Sequence, residues 1–390
     1  MKKSTLLFVT ILISFFPFGD LFAKGKVKVD KALEHAARQY IYMRSELQGS
    51  NQFPKTYDKH MQRLKTSNSE WWCSGFYPGT LFYLYEDTGD KELYAEGVRM
   101  LKLLEPEQYN VNTHDVGFMM YCSYGNANRI APKPEYKDIM VNSARSLISR
   151  FSPVVGCIKS HNRKPDDYVV IIDNMMNLEL LMFASKAFDN DTLEYVARTH
   201  ANTTLKNHFR KDYSSYHLVD YDPEDGHVRS RQTVQGYSNE SSWGRGQAWA
   251  LYGYTMMFRM TRDEKYLEHA ENIADMLLSR LPVDGIPYWD FDAPNGNEYR
   301  DASAGAIMAS AFVELSGFAT DEKARQNYLS IAEKQLRTLA SSHYLAEPGT
   351  NCNFILKHSV GNLPEKSEVD VPLSYADYYF LEALLRYKKA

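Results

Sequence analysis

The sequence contains 390 residues with a formal net charge of −4, and 13% of its residues are aromatic. A chain of this length can bury a large core in one big domain or two ordinary ones. The near balance of 45 basic and 49 acidic residues excludes the basic excess that is typical of nucleic-acid binding. The many aromatic side chains can fill a core and can also stack on ring-shaped ligands.

The first 23 residues have the pattern of a secretory signal peptide. Two lysines precede an apolar run at 6–18, and a cleavage site that ends in a small residue follows at 21–23. A membrane anchor is the alternative, but the run is short for a span and lacks a basic flank on its far side. The segment around the cleavage site contains no cysteine to which a lipid could be attached. We therefore predict a signal peptide at 1–23, one mature domain at 24–390 and a periplasmic address in a Gram-negative source, with no membrane contact after signal removal.

The four cysteines, at positions 73, 122, 157 and 352, are widely and irregularly spaced. This spacing fits neither a zinc site nor a dense disulfide scaffold. We expect one disulfide or none and assign these residues no function.

One theme repeats along the mature chain: an apolar, aromatic-rich helix ends in a polar turn, and an amphipathic helix follows. Turns that contain Asp recur at 86–90, 188–191, 261–263 and 319–321, each followed by apolar residues at helical spacing and able to cap the next helix. The predicted helices are 28–46, 73–87, 91–104, 115–127, 136–150, 173–188, 191–208, 244–260, 263–280, 301–317, 321–341 and 374–388.

The helices are of two kinds, which alternate along the chain. Helices that are apolar on all sides belong inside, whereas helices with one apolar stripe belong outside. Six helices of each kind, at roughly sixty residues per pair, predict an all-α (α/α)6 barrel, a six-hairpin toroid. An open solenoid is the alternative, but the irregular repeat length and the long connections rich in Trp, His, Asp, Gly and Arg argue against it.

Two aspartates, Asp115 and Asp173, each stand where an apolar, Met-rich helix is predicted to begin. In a toroid these helix starts open at one mouth, where two carboxylates could serve as an acid/base pair at a glycosidic or enol-ether bond. The alternative is that each aspartate only caps its helix. A carboxyl that donates a proton near neutral pH needs a raised pKa, whereas a helix start alone would favour its anion, and a second carboxylate nearby would raise the pKa. We therefore predict that the two aspartates titrate together.

The segment from Thr233 to Gly253 is the richest candidate for ligand binding. Its glycines allow close backbone approach, and Trp243 and Trp249 offer stacking faces on either side of Arg245. The planar Arg245 fork suits a carboxylate, which predicts a sugar acid as ligand. The alternative is that Arg245 pairs with a structural aspartate.

Three ordered motifs identify a family. They are H-D-x-G-F at 114–118, I-I-D-x-x-x-N-L at 171–178 and Q-G-Y-S-x-x-S-x-W-x-R-G-Q-A-W-x-x-Y-G at 235–253. Together they closely resemble the unsaturated glucuronyl hydrolases of glycoside hydrolase family 88, and the resemblance extends over essentially the whole mature chain. It implies an (α/α)6 enzyme without metal or organic cofactor. Its substrate would be the 4,5-unsaturated uronic acid at the non-reducing end of lyase-generated oligosaccharides. We expect the protein to be a monomer or a dimer.

The same resemblance implies a role for each site residue. Asp173 matches the proton donor and Asp115 the second essential carboxylate, in a hydration of the vinyl ether at C4=C5. The sequence departs from the family pattern at Val234 and His161, on the side of the leaving sugar. The remaining implied substrate-binding residues are Thr233, Gln235, Arg245 and Trp249 at the uronate, Trp243 and His217 at the pocket wall, Trp72 or Trp71 as a stacking face, and Ser359 and Lys366 at a sulfate on the leaving sugar.

Rival functions remain from the residues alone. Unsaturated rhamnogalacturonyl hydrolases share the barrel and the chemistry, but W-G-R-G-Q-A-W and H-D-x-G-F favour the glucuronyl branch. A toroidal sugar epimerase would need several histidines at the mouth, where only His114, His161 and His217 lie near predicted loops. A non-catalytic glycan-binding protein of an uptake system could use the tryptophans but would not need both aspartates.

Overall fold

The computed structural model describes residues 27–164, 166–294 and 299–390. The predicted signal peptide at 1–23 lies outside these residues. All twelve predicted helices are present, with one of them split in two. In chain order the helices are α1 (Val29–Glu46), α2 (Phe76–Thr88), α3 (Lys91–Leu104), α4 (Val116–Met120), α5 (Asn126–Ile130), α6 (Pro134–Ile148), α7 (Leu178–Phe188), α8 (Asp191–Asn207), α9 (Gly244–Thr261), α10 (Glu264–Arg280), α11 (Ala302–Ser316), α12 (Glu322–Leu339) and α13 (Ser374–Lys389).

Two predicted helices begin or continue differently from the prediction. The helix predicted at 115–127 is interrupted by a π-helical turn, Tyr121–Gly125, which joins α4 to α5. The helix predicted at 173–188 begins as a 3-10 helix, Ile172–Asn177, before α7. Extra residues of this kind inside a helix are frequent at functional sites, since they change which side chains face the interior.

The outer helices have the predicted single apolar stripe and the predicted caps. In α3 the stripe is Leu93, Met100, Leu101 and Leu104, all buried. Asp90 caps this helix by accepting from the backbone of its first turn, and Asn190, Asp263 and Asp321 cap α8, α10 and α12 in the same way. These caps satisfy backbone N–H groups that the helix itself leaves free.

The inner helices close into a ring. They are α2, the α4–α5 pair, α7, α9, α11 and α13, and the last of them packs against both α11 and α2. In α11 nearly every side chain is buried, because the helix is covered by neighbours on all sides. The outer helices α1, α3, α6, α8, α10 and α12 surround this ring, which confirms the predicted (α/α)6 barrel.

Glu382 joins four of the inner helices near the middle of their length, in the interior of the barrel. Its carboxylate, on α13, accepts from Tyr83 Oη of α2 (3.0 Å), Tyr252 Oη of α9 (3.0 Å) and Ser310 Oγ of α11 (2.5 Å). All four side chains are buried. A carboxylate that accepts several hydrogen bonds in a low-dielectric interior is stabilised only while those donors stay in place.

The prediction missed four small antiparallel sheets in the connections that enter the inner helices. The strands are β1 (Phe53–Asp58), β2 (Arg63–Ser67), β3 (Phe151–Ser152), β4 (Cys157–Ile158), β5 (Tyr168–Ile171), β6 (Leu218–Tyr221), β7 (Val228–Gln232), β8 (Ser359–Asn362) and β9 (Ser367–Val371), and they pair as β1-β2, β3-β4, β5-β6-β7 and β8-β9. These strands bring distant segments together at the mouth of the barrel.

The sequence also gave expectations about disulfides and about membrane-spanning helices. All four cysteines are free thiols, three of them buried. Among residues 27–164, 166–294 and 299–390, no helix combines the length and the apolar character that a membrane crossing requires.

Replacing Glu382 with Ala tests its role in closing the ring. We expect Glu382→Ala to lower the free energy of unfolding by about 3–5 kcal/mol, because it leaves three buried hydroxyls without an acceptor. Urea denaturation measures this change. Glu382→Gln keeps the shape and one acceptor oxygen, so its loss should be clearly smaller. Equal effects of the two variants would contradict this expectation, because they would show that the loss of the carboxylate charge, which both variants share, accounts for the whole change.

Candidate active site

The three-stranded sheet brings Asp173 together with two segments that are distant in sequence. Ile171 at the end of β5 pairs with Leu218 of β6, and Leu218 pairs with Gln232 at the end of β7. Asp173 follows β5 by two residues, His217 precedes β6, and Thr233 follows β7. The backbone N–H of Ile172 donates to the His217 carbonyl (2.9 Å), which holds the start of the 3-10 helix against the sheet.

A cavity of about 340 Å³ opens at this mouth of the barrel. It contains both predicted aspartates and residues from the connections into four inner helices, α2, α4, α7 and α9. Its wall is formed by Glu70, Trp71, Trp72, Thr113, His114, Asp115, His161, Ile171, Asp173, Gln235 and Arg245.

Neither aspartate caps its helix, so the alternative role considered for them does not apply. The Asp115 side chain makes no capping hydrogen bond to α4, and Asp173 lies inside the first turn of the 3-10 helix without one. Asp115 instead accepts from the Thr113 hydroxyl (2.9 Å) and lies 3.4 Å from His114 Nε2. By contrast, Asp301 and Asp377, at the starts of α11 and α13, bind backbone N–H groups and are structural.

Burial is the main cause of the unusual protonation of Asp173. It raises the pKa of this carboxyl to about 7, with a further rise from the charge of Asp115. Arg245 and the indole N–H of Trp249 act in the opposite direction and lower it. The predicted effect of the second carboxylate is therefore present, but desolvation contributes more. Burial also raises the pKa of Asp115, where His161 lowers it.

The histidines around the two carboxyls are neutral at physiological pH. His217 Nε2 lies 3.9 Å from Asp173 Oδ2, and burial lowers the pKa of His217 to about 3. Burial likewise lowers the pKa of His114 to about 3 and that of His161 to about 4, and these two rings meet edge to face at 4.9 Å. A neutral imidazole can donate or accept one hydrogen bond without adding charge to the cavity.

Arg245 makes the structural ion pair that was the alternative interpretation, and it also lines the cavity. It forms a buried ion pair with Asp301 (3.2 Å), and it also lines the cavity, where its Nη2 donates to Gln235 Oε1 (2.5 Å) and to the Gly361 carbonyl (2.8 Å). The guanidinium stands at the start of α9 because Gly244 lets the chain pass close to the Tyr288 carbonyl, which a Cβ would approach to 2.3 Å.

The other predicted site residues lie at three distances from the cavity. Trp72, Gln235 and Arg245 are in its wall. Directly behind the wall, the Thr233 hydroxyl contacts His217 Nδ1 (3.4 Å) and Trp243 stacks on the same ring at 4.4 Å. Trp249 is fully buried and contacts Phe118 (5.2 Å) and Tyr379 (5.4 Å), and these three rings form the aromatic floor of the barrel below the cavity.

The structure does not bring Ser359 and Lys366 together. Ser359 is buried at the base of the β8–β9 hairpin, opposite Val371, whereas Lys366 is exposed at its tip. The hairpin contributes to the site by another route, since the carbonyls of Val360 and Gly361 accept from Arg245.

Four residues at the site were given no role from the sequence. Glu70, Thr113 and Ile171 are in the cavity wall, and Asn177 is buried between the two helix starts. Thr113 had a recognisable signal, since a threonine two residues before an aspartate at a helix start often binds it. Asn177 stands in the quoted motif but carries no chemistry of its own.

Two further features lie away from the aspartates. A cavity of about 460 Å³ at the opposite end of the barrel, below the aromatic floor, is lined in part by Glu179, Arg259, Glu382 and Arg386. Among the described residues, one group could hold a metal ion: Asp222, Asp225 and His227, at the end of β6 remote from Asp173.

Comparisons with known proteins agree with the motifs. The profile of Glycosyl Hydrolase Family 88 matches residues 47–362. The unsaturated glucuronyl hydrolase of Formosa agariphila is 40% identical over 390 residues, covering 96% of this chain and 96% of that protein. The crystal structure of an unsaturated glucuronyl hydrolase specific for heparin has a TM-score of 0.88 and 47% identity, and covers 93% of this chain and 97% of that one.

A second solved structure is the unsaturated glucuronyl hydrolase of Bacillus sp. GL1, responsible for the degradation of glycosaminoglycan. It has a TM-score of 0.86 and 28% identity, and it covers 92% of this chain and 96% of that one. The sequence motifs, the barrel and these likenesses agree, and the chain belongs to glycosyl hydrolase family 88.

Proposed function

We propose that this chain is an unsaturated glucuronyl hydrolase, which removes the 4,5-unsaturated uronic acid from the non-reducing end of glycosaminoglycan-type oligosaccharides. The observation that carries this proposal is a buried carboxyl, Asp173, whose pKa is raised to about 7 beside a second carboxylate in one cavity. A carboxyl in that state can donate a proton at neutral pH, which hydration of a vinyl ether requires.

In the proposed reaction Asp173 protonates C4 of the unsaturated ring, and the positive charge at C5 is shared with the ring oxygen. Water, oriented by Asp115, then adds at C5 and gives up a proton to the carboxylates, so the pair holds one proton before and after the reaction. The resulting hemiketal opens and expels the leaving sugar. The neutral His217 beside Asp173 adds no positive charge that would favour its anion.

Gln235 and Arg245 are the proposed partners of the uronate carboxylate. Arg245 Nη2 reaches the cavity and already donates to the side-chain oxygen of Gln235 (2.5 Å). A substrate carboxylate could replace that neutral oxygen with a charged acceptor, which makes a stronger hydrogen bond. The ion pair with Asp301 would keep the guanidinium in place.

The proposed preferred substrate is an oligosaccharide derived from heparin. The support for this preference is the 47% identity to a hydrolase specific for heparin, against 28% to the Bacillus sp. GL1 enzyme. The resemblance implies that the two departures at Val234 and His161 are on the side of the leaving sugar, where such a preference would arise.

Activity is tested by the loss of absorbance of the 4,5-double bond. We expect wild-type protein to consume unsaturated heparin disaccharides faster than those of hyaluronan or chondroitin, with kcat/KM falling as pH rises through about 7 because Asp173 loses its proton. Asp173→Asn should lower kcat by at least about 10³-fold, since an amide cannot donate this proton. Folded wild-type protein that consumes none of these disaccharides would refute the proposal.

The interaction between the two aspartates is tested with Asp115→Asn. Removing a charge that raises the pKa of Asp173 should bring that pKa below about 7. Carboxyl ¹³C NMR titration measures it, and Asp377 is an internal control, because burial raises its pKa to about 7 outside the cavity. An Asp173 pKa that does not move would mean that burial acts alone.

We further propose export of the protein to the periplasm through the segment at 1–23. Its basic start, apolar run and small residue at position 23 support this assignment. Expression of the full chain in a Gram-negative host, followed by cell fractionation and N-terminal sequencing, should yield periplasmic protein that starts near residue 24. Intact chain retained with the membrane or in the cytoplasm would contradict export.

A further inference from the structure

Asn177 links the helix that carries Asp173 to the one that follows Asp115. It is the last residue of the 3-10 helix and is fully buried. Its side-chain oxygen accepts from the backbone N–H of Phe118 in α4 (2.8 Å). The contact leaves no space at Gly117, where a Cβ would come within 2.5 Å of the Asn177 Cα atom. The two helix starts are therefore in direct contact at this side chain.

The Phe118 hydrogen bond determines the orientation of the Asn177 amide. A backbone N–H can only donate, so the atom that it meets must be the amide oxygen. The amide nitrogen then lies on the other side, 3.4 Å from His114 Nδ1. Because that nitrogen can only donate, His114 Nδ1 must be the ring nitrogen without a proton.

The tautomer of His114 follows from this orientation. Burial lowers the pKa of His114 to about 3, so the ring is neutral and carries a single proton. With Nδ1 bare, that proton is on Nε2, which lies 3.4 Å from Asp115 Oδ1, as a close polar contact and not as a formed hydrogen bond. The side chain of Asn174 also contacts the ring and favours a protonated nitrogen on it. A neutral histidine thereby presents an N–H to a buried carboxylate.

We propose that Asn177 is a positioning residue, which fixes the tautomer of His114 so that Nε2–H faces Asp115 and favours its anion. This inference rests on the proposed function, in which Asp115 acts as the carboxylate that orients water. The other groups near Asp115 are His161, Arg150 and Thr113, which all favour the anion, and Asp173, which opposes it. Burial raises the pKa of Asp115, so the anion needs the donors that surround it.

The tautomer is tested without substrate, by NMR of ring-¹⁵N histidine in wild type and in Asn177→Asp. The His114→Gln spectrum assigns the His114 signals by their loss. In wild type at neutral pH we expect Nε2 protonated and Nδ1 bare. In Asn177→Asp one oxygen still accepts from Phe118, but the other faces Nδ1 and should draw the proton there. A wild-type ring protonated on Nδ1, or a variant ring that keeps Nδ1 bare, would overturn the inference whether or not the enzyme acts on glucuronyl substrates.

Kinetics provide the second test. We expect Asn177→Asp to lower kcat by about tenfold or more while KM changes by less than about twofold, because the substrate-binding wall is untouched. The acid limb of the kcat/KM profile should move to higher pH, since the Nε2–H of His114 no longer faces Asp115 and the pKa of Asp115 rises. A lower kcat with an unmoved acid limb would mean that Asn177 is merely structural.

Asn126→Asp is the matched control. Asn126 is a buried asparagine of α5, whose amide nitrogen donates to the Cys122 carbonyl (2.9 Å) and to Tyr378 Oη (3.0 Å), at the opposite end of the barrel. The Asn126→Asp substitution also introduces a buried carboxyl, but at a position far from His114. Its His114 signals and its acid limb should match those of wild type, and a shift equal to that of Asn177→Asp would overturn the assignment.

Discussion

Desolvation of the Asp173 carboxyl is the constraint on which the rest of the site depends. The starts of inner helices and the guanidinium of Arg245 both favour a carboxylate anion, yet burial prevails and the pKa is raised to about 7. At roughly 1.4 kcal/mol per pKa unit, holding this group against ionisation represents about 4 kcal/mol of free energy at pH 7 and above. The unfolded chain ionises the group near its ordinary pKa of 3.8, so the native state loses this stability as pH rises from about 4 to about 7. The closed ring of helices must supply stability elsewhere to hold such a group.

The sequence was sufficient for the barrel because helical periodicity and capping are local. Outer helices such as α3 have an apolar stripe and an Asp at the cap, and both features are contained within about fifteen consecutive residues. The strands were not evident, because β5, β6 and β7 are only four or five residues long and β5 pairs with β6 across about fifty residues. The π-helical turn was missed because this inner helix is apolar on all sides. One extra residue therefore shifts no apolar stripe that the sequence would show.

The candidate site shows a similar division. Asp115, Asp173, Gln235 and Arg245 were predicted from motifs, and all four line one cavity. What the sequence could not indicate is how side chains share hydrogen bonds: whether Arg245 pairs with Asp301 or faces a ligand, and what Asn177 does in its motif. Both answers depend on atoms from segments more than fifty residues away, such as Asp301 and Phe118. The sulfate site at Ser359 and Lys366 failed as a cluster because a hairpin separates its base from its tip.

The buried rings of the aromatic floor, Phe118, Trp249 and Tyr379, separate the cavity with the aspartates from the cavity at the opposite end of the barrel. A polysaccharide therefore cannot thread through the ring, and only a chain terminus can reach Asp173. In the proposed reaction the unsaturated uronate is removed, and the oligosaccharide that remains has a saturated end with no double bond for a second hydration. Such an enzyme cannot be processive, because it acts once on each oligosaccharide. A further turnover needs a new unsaturated terminus, which an eliminative cleavage elsewhere must create. The concentration of unsaturated chain ends, and not the length of the chains, would therefore determine how much substrate the enzyme has.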